Sequence, residues 1–350
     1  MRIWQRYFFF DTLKVIGFFL AAFWGLYVLI DYASHSGTFH HHKDPLSFFQ
    51  LVVFYTGELI RRSEILLPFA ILVGVTRVLT KLNTRNELVA LLASGQSMKK
   101  LLFPFIGVGL LGVGFLYLNE EVFVPWAMES SREIGDIQKS TSSKSAKHLR
   151  LKGGSLLIFG SLKPETKELF DVFWIPSIDD VWRFKTLSLE AIPKASEGEH
   201  FSRGKDNMMR IKERFSARLF PEIEYNPKRL LETITPADEL SISELWKKSP
   251  SNAKSQKEAR IKTQLFRKLF LPWLALFAVL IPAPFATQFT RRLNVFFIYV
   301  ISLFSLFFIY VVFNVATILG ERQLYTPFWV MFIPFILVSA ILAYRLKKIS

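Results

Sequence analysis

Six stretches of this chain, roughly 8–31, 47–80, 98–119, 268–288, 294–319 and 326–345, are mostly apolar. Each is about 18 residues or longer, the length a helix needs to cross hydrocarbon. In lipid every backbone N–H and C=O must be satisfied inside its own segment, so such runs have to be helices. The chain is therefore an integral membrane protein. Its composition agrees, since 51% of its 350 residues are hydrophobic and 36 are phenylalanine. The first run, from near Tyr7 to Ile30, is longer than a signal-peptide core and has no small-residue cleavage site after it. It is expected to remain as the first span.

Charge orients the spans. Arg2, Arg6 and Lys14 flank the first; Arg77, Lys81, Arg85, Lys99 and Lys100 lie between the second and third. Arg291 and Arg292 lie between the fourth and fifth, and Arg345, Lys347 and Lys348 follow the sixth. The alternate short loops, 32–46 and 320–325, carry only Lys43 and Arg322. The positive-inside rule puts both termini and the 79–100 connection in the cytoplasm, and sends the long middle segment outside. Between Glu120 and Lys262 there are 25 Lys and Arg against 22 Asp and Glu, a net of +3 out of +15. The remaining charge surrounds the spans, which fits membrane topology and anionic lipid rather than a nucleic-acid surface. No nucleic acid is expected as a partner.

The middle segment changes pattern from helical to alternating. Leu187, Leu189 and Ala191 alternate with Thr186, Ser188 and Glu190. Met209, Ile211, Phe215, Ala217 and Leu219 alternate with Arg210, Lys212, Arg214, Ser216 and Arg218. Period-2 runs of this kind predict half-buried antiparallel strands, and further strands are expected over 155–161 and 168–175. A β-sandwich or open roll follows, with 247–262 as a polar lead into the fourth span. The domains expected are 1–123 with spans one to three, 124–262 as an inserted all-β domain, and 263–350 with spans four to six.

Much familiar chemistry is missing. There are no cysteines, so no disulfide framework, thiolate nucleophile or cysteine metal site. No G-x-x-x-x-G-K-[ST] occurs; "SRGKD" at 202–206 lacks the first glycine and the Ser or Thr. His40-His41-His42 has no carboxylate at ligand spacing beside it, and no cofactor or metal is expected. Nor does a catalytic constellation stand out. Asp179-Asp180 and Glu120-Glu121 are expected at a turn and at a membrane boundary, as solvated charge. The chain does not read as an enzyme.

Two polar stretches carry the functional reading. Between spans two and three, Thr84-Arg-Asn-Glu87 fits a capping box, and Gly95 is placed to end a helix of about 84–94. Such a helix is too short to be stable alone in water. Leu88, Leu91 and Leu92 share one face, while Val89, Ala90 and Ala93 keep the rest small and apolar. Two covers are open: the membrane or its own bundle, or a groove on a cytoplasmic partner with Glu87 as the charged contact. The second stretch, "ELIRRSE" at 58–64, interrupts span two and puts Arg61 and Arg62 near the outer interface. They either snorkel and pair locally with glutamate, or face a cavity and hold an anionic headgroup.

"NELVALLASGQS" at 86–97 resembles the S-E-L-V-A-L-R-A-A-G-[VMF]-S segment of the LptF/LptG permeases of lipopolysaccharide export. "ILLPFAILVG" at 65–74, "LNEEVFVPWA" at 118–127 and "LPWLALFAVLIPAPFATQFTRR" at 271–292 extend the likeness over essentially the whole chain. The resemblance implies a membrane α-helical fold of six transmembrane helices, 3+3, with an inserted periplasmic β-jellyroll-like domain. It also implies the permease subunit of an ABC transporter in the bacterial inner membrane, which extracts lipopolysaccharide and passes it to periplasmic jellyroll bridge proteins. A second homologous permease and a cytoplasmic ATPase dimer are the implied partners. On this likeness Glu87, Leu88, Leu91 and Leu92, with Arg85 beside them, form the ATPase-coupling segment. The family's arginine in that segment is replaced by Leu92, and span one ends "LIDYASHSG" without the basic residues expected there. Arg61, Arg62, Arg267 and Lys268 stand in by position as lipid contacts. The short spacing between spans one and two favours an LptG-like subunit. The reading set against this one is a membrane-anchored scaffold whose β domain binds an envelope partner without transport.

Overall fold

The computed structural model describes residues 3–40, 48–128, 147–151, 154–163, 168–189, 192–204, 208–223, 237–250, 255–287 and 294–349. Contacts divide the chain into two units, Met1–Ile134 with Ala237–Ser350, and Gly135–Pro236. Arg291, Arg292, Lys43 and the His41-His42 pair lie outside the described residues.

The first unit is helical. Its elements are α1 (Ile3–His40), α2 (Phe48–Thr84), α3 (Glu87–Ala93) and α4 (Met98–Leu118). After the β unit come α5 (Ile242–Lys248), α6 (Gln256–Phe270), α7 (Leu274–Leu280), α8 (Ala283–Ala286), α9 (Val295–Glu321) and α10 (Pro327–Ile349). Among the described residues six helical stretches are long and apolar enough to cross a membrane, three on each side of the β unit. The third runs Met98–Met128 through a π-helical turn at Asn119–Phe123. The fourth runs Gln256–Ala286 and is broken at Pro272 and Pro282 into α6, α7 and α8. Proline lacks the N–H and crowds the preceding turn, which accounts for both breaks.

Spans two, three and four make the centre: 61%, 50% and 67% of their apolar windows are buried, against 6%, 22% and 11% for spans one, five and six. Small residues let the central helices approach closely. A Cβ at Gly112 would stand 2.6 Å from Ile71 Cδ1 and 3.1 Å from Ala275 Cβ; one at Gly109 would stand 2.9 Å from Val279. With no water to expel between helices in lipid, such close packing is what holds them together. Tyr117 then donates to the Leu269 carbonyl (2.6 Å) and accepts from Trp273 Nε1 (3.0 Å), tying span three to span four. Gly112→Val is expected to overpack this crossing and cost about 1–3 kcal/mol. A lower thermal midpoint in detergent measures it; an unchanged midpoint would mean that the two helices can part there.

The "ELIRRSE" stretch does not break span two, because α2 is one continuous helix of 37 residues. It also runs further into the cytoplasm than hydropathy alone suggested, to Thr84.

The second unit is a six-stranded antiparallel sheet in the order β1–β2–β3–β4–β5–β6, each strand beside its sequence neighbours. The strands are β1 (Lys147–Arg150), β2 (Leu156–Lys163), β3 (Glu168–Ser177), β4 (Asp180–Ser188), β5 (Lys194–Arg203) and β6 (Met209–Leu219). Leu157, Phe159, Leu169, Val172, Trp174, Phe184, Leu187 and Phe220 form its core. Of the acidic pair expected at a turn, Asp179 sits in the turn between β3 and β4, whereas Asp180 opens β4 with its carboxylate 3.1 Å from His200 Nε2. β5 carries little strand signal in "KASEGEHFSR"; it is a strand because β4 and β6 pair with it on both sides. Along β6 the alternation is real, but only Phe215 is partly covered, whereas Met209, Ile211 and Leu219 are exposed. Its apolar face was expected to be half-buried throughout. Phe215 gains its cover by lying across Gly198, where no side chain competes for the space.

The contact boundaries fall inside the 124–262 span expected from pattern. The stretch after Pro236 is helical and belongs with the spans. Reciprocal capping boxes start its helices, Ser241 with Glu244 for α5 and Ser255 with Glu258 for α6.

Candidate functional site

Two groups of side chains bear on function, one at each end of the helical unit. At the cytoplasmic end α3 forms, but not by the capping box expected at Thr84 and Glu87. Thr84 is the last residue of α2 and its hydroxyl donates to the Lys81 carbonyl (3.1 Å). Because α2 runs on to Thr84, the reversal is left to Arg85-Asn86, with Asn86 in the left-handed region at φ 59°. Asparagine tolerates that conformation better than most residues. The other end is as expected. Gly95 sits at φ 83°, and the amides of Gly95 and Gln96 donate to the carbonyls of Leu92 (2.9 Å) and Leu91 (3.3 Å). That bond pair is a Schellman closure, and its positive φ requires glycine or a residue like it.

α3 has two faces. Leu88 is 1% exposed and belongs to the bundle core, with Leu91 and Leu92 packed partly against it. Val89 (42% exposed), Ala90 and Ala93 face outward. Glu87 is partly exposed, 3.9 Å from the exposed Arg85 guanidinium. Asn83 Nδ2 donates to the Ala286 carbonyl (3.1 Å), joining the foot of α2 to α8. Lys81 reaches Asp11 on α1 (3.0 Å).

At the other end the polar residues share one depth. At 1.5 Å per residue, Lys81 to Glu64 spans about 26 Å, Lys100 to Glu120 about 30 Å and Thr287 to Lys268 about 29 Å. Those lengths match a hydrocarbon core of about 30 Å. Here Arg267 is ion-paired with Glu64. Lys268 bonds Glu120 (2.7 Å) and donates to the Leu240 carbonyl (2.9 Å), and is 3% exposed. Neither is free to meet a headgroup in this arrangement, because each is neutralised inside the helical unit. The cavity between the pairs, lined by Glu64, Leu116, Glu120, Arg267, Lys268, Leu271 and Pro272, is only about 10 Å³. Arg61 and Arg62 behave differently. Both pair with Glu58 (2.7 and 3.2 Å), and both side chains remain about half exposed. Arg62 also stacks 4.4 Å from the Tyr27 ring centroid, on α1. The Tyr55 hydroxyl, beside Tyr27, donates to Asp31 (3.0 Å), so a second carboxylate belongs to this cluster.

Sequence reasoning took Glu120-Glu121 for solvated charge, and the structure overturns that. The π-helical turn Asn119–Phe123 turns three consecutive polar side chains toward three elements. Asn119 Nδ2 donates to the Ile60 carbonyl on α2 (3.2 Å), Glu120 binds Lys268 on α6, and Glu121 accepts from the Ser243 amide of α5 (3.1 Å). A π-turn inserts one extra residue and often marks a functional position. Two acids and an asparagine at the far end of a span were the signal available. Asn314, by contrast, is local, donating to the Tyr310 carbonyl of its own helix (2.9 Å).

Six spans in two sets of three, a short helix with a free face on the positive side and a β unit inserted between the sets define a polytopic membrane subunit of transporter type. A family model described as "Lipopolysaccharide export system permease LptF/LptG" matches residues 6–348. The chain belongs to that family. It is a non-catalytic permease subunit of the ABC transporter that exports lipopolysaccharide, a multi-pass protein of the inner membrane with its β domain in the periplasm. It works with the other components of that export system. Among individually curated proteins none matches the chain.

Proposed function

We propose that α3 is where the work of a cytoplasmic ABC ATPase enters this subunit, by docking its outer face into a groove of the ATPase dimer. The observation that carries this reading is the division of α3. Leu88 roots the helix in the bundle, while Val89, Ala90 and Ala93 present a small apolar surface beside Glu87 and Arg85. Leu91 and Leu92 lie at its edge, half in the bundle. A helix carried this way moves with α2, so closure of the ATPase dimer becomes motion of the spans. Recovery of the ATPase with subunits altered on this face tests the docking.

Spans one, five and six, mostly uncovered in the single chain, supply the surface for a second homologous permease and for lipid between the two. Arg61 and Arg62, half exposed at the outer interface, meet the phosphates of lipopolysaccharide there, and the β domain passes the lipid to periplasmic bridge proteins. Charge reversal, Arg61→Glu with Arg62→Glu, is expected to lower photo-crosslinking to lipopolysaccharide roughly tenfold, as for loss of charge-assisted bonds to phosphate. Undiminished crosslinking would leave these arginines with only their bond to Glu58.

A further inference from the structure

Span three, which precedes the β unit, continues for five residues past the π-turn to Met128, and after the β unit the helical unit resumes at Ala237, ahead of α5. Lys268 touches both places. Its ammonium sits between the Glu120 carboxylate (2.7 Å), in the π-turn of span three, and the Leu240 carbonyl (2.9 Å), in the segment that follows the β unit. One residue further out, the Glu121 carboxylate accepts from the Ser243 amide (3.1 Å), a second bond between the same two segments. The returning segment is itself firm. Leu240 and Leu245 pack with Leu265 of α6, and Ser241 and Glu244 close α5 at its start. Next to Lys268, Arg267 is paired with Glu64 on α2. That helix continues without interruption to Thr84, with only Arg85 and Asn86 between it and α3.

We propose that Lys268 is a positioning residue for export: it staples the outer end of span three, which precedes the β unit, to the segment that follows that unit, and through Arg267 and Glu64 fixes both to the helix that carries α3. This rests on the docking of α3 proposed above. A lysine that is 3% exposed inside a membrane protein needs a reason beyond solubility. Buried ionised groups are costly and persist where they are paired and hydrogen-bonded. Two ionic pairs on consecutive residues of α6 reach α2 on one side and the outer end of span three on the other, where Lys268 also holds the Leu240 carbonyl. Displacement of α2 by the ATPase therefore reaches both of these segments at once. Without the ammonium, the two segments lose the buried charge that holds both and part company under load.

The chain has no cysteine, so a pair of introduced thiols gives unique label positions. Val122→Cys and Trp246→Cys place spin labels on two exposed sites, one on each segment. The test uses the full subunit assembled with its ATPase and second permease in proteoliposomes. It compares wild type with Lys268→Met and with Lys268→Met/Glu120→Gln. The double variant leaves no buried charge unpaired and guards against simple misfolding. The wild type is expected to give a narrow label–label distance distribution, and both variants a broadened one. ATP hydrolysis is expected to persist while lipopolysaccharide moved per ATP falls roughly tenfold. Either readout at its wild-type value in the double variant overturns the proposal. A Val89→Glu control tests docking alone. If it still retains the ATPase, the docking reading fails, while the label distance continues to decide the staple.

Discussion

Val89→Glu is expected to lower recovery of the ATPase with this subunit by roughly thirtyfold or more, while Leu88→Ala, one residue away, leaves recovery per folded molecule near wild type. Val89 lies on the free face of α3, and a carboxylate there enters the proposed groove without a partner. An apolar contact at the centre of such an interface is worth about 2 kcal/mol or more, which is the thirtyfold. Leu88 is buried in the helical core. Its truncation empties a packed site and costs about 2–5 kcal/mol of stability, read as a lower thermal midpoint in detergent. The two measurements should therefore cross: one variant loses partner and keeps stability, the other does the reverse. Val89→Glu with full ATPase recovery would move the docking surface elsewhere. Glu87→Ala is the intermediate case, because its carboxylate is 3.9 Å from Arg85 and bears no cap. It is free to serve a partner, and its loss should weaken assembly without touching insertion.

Arg267→Met is expected to destabilise the subunit by about 3–5 kcal/mol, the cost of leaving one partner of a buried ion pair uncompensated. Glu64 would then stand at the hydrocarbon boundary beside Glu120, with Lys268 already engaged by Glu120 and Leu240. Restoring balance with Arg267→Met/Glu64→Leu should recover most of the loss, since a buried pair replaced by apolar residues of similar volume is often neutral. The thermal midpoints of wild type, single and double variants in one detergent decide the matter. A single variant as stable as wild type would show that Glu64 reaches water in the absence of arginine. A double variant no better than the single would place the loss in packing around α6 rather than in charge.

The architecture was legible because its signals are local. Hydropathy runs mark spans, the asymmetry of lysine and arginine orients them, and the period-2 run at 209–219 marks a strand. The close of α3 at Gly95 was equally local, since few residues adopt φ 83° without strain. Its start was misread for the same kind of reason. Thr84 and Glu87 have capping-box spacing, but the stability of α2 extends that helix through Thr84 and takes its hydroxyl for a carbonyl inside α2. β5 escaped notice because its strand character comes from neighbours on both sides.

Charges divided in the same way. The pairing of Arg61 and Arg62 with Glu58 is spaced three and four residues along one helix and can be read from the sequence. Arg267 and Glu64 are 203 positions apart. Nothing in either local context tells that they meet, so a basic pair at a membrane boundary looked like a site for headgroups. By itself the sequence determined six spans, their orientation, an inserted β domain and a short helix on the cytoplasmic side, because hydropathy, charge bias and backbone conformation act over a few residues. Only the tertiary structure decided that Leu88 faces in and Val89 out, and that Arg267 and Lys268 are already neutralised. Those outcomes depend on which helices come to lie side by side, and in a low-dielectric interior an opposite charge a few ångströms away determines what a buried charge can do.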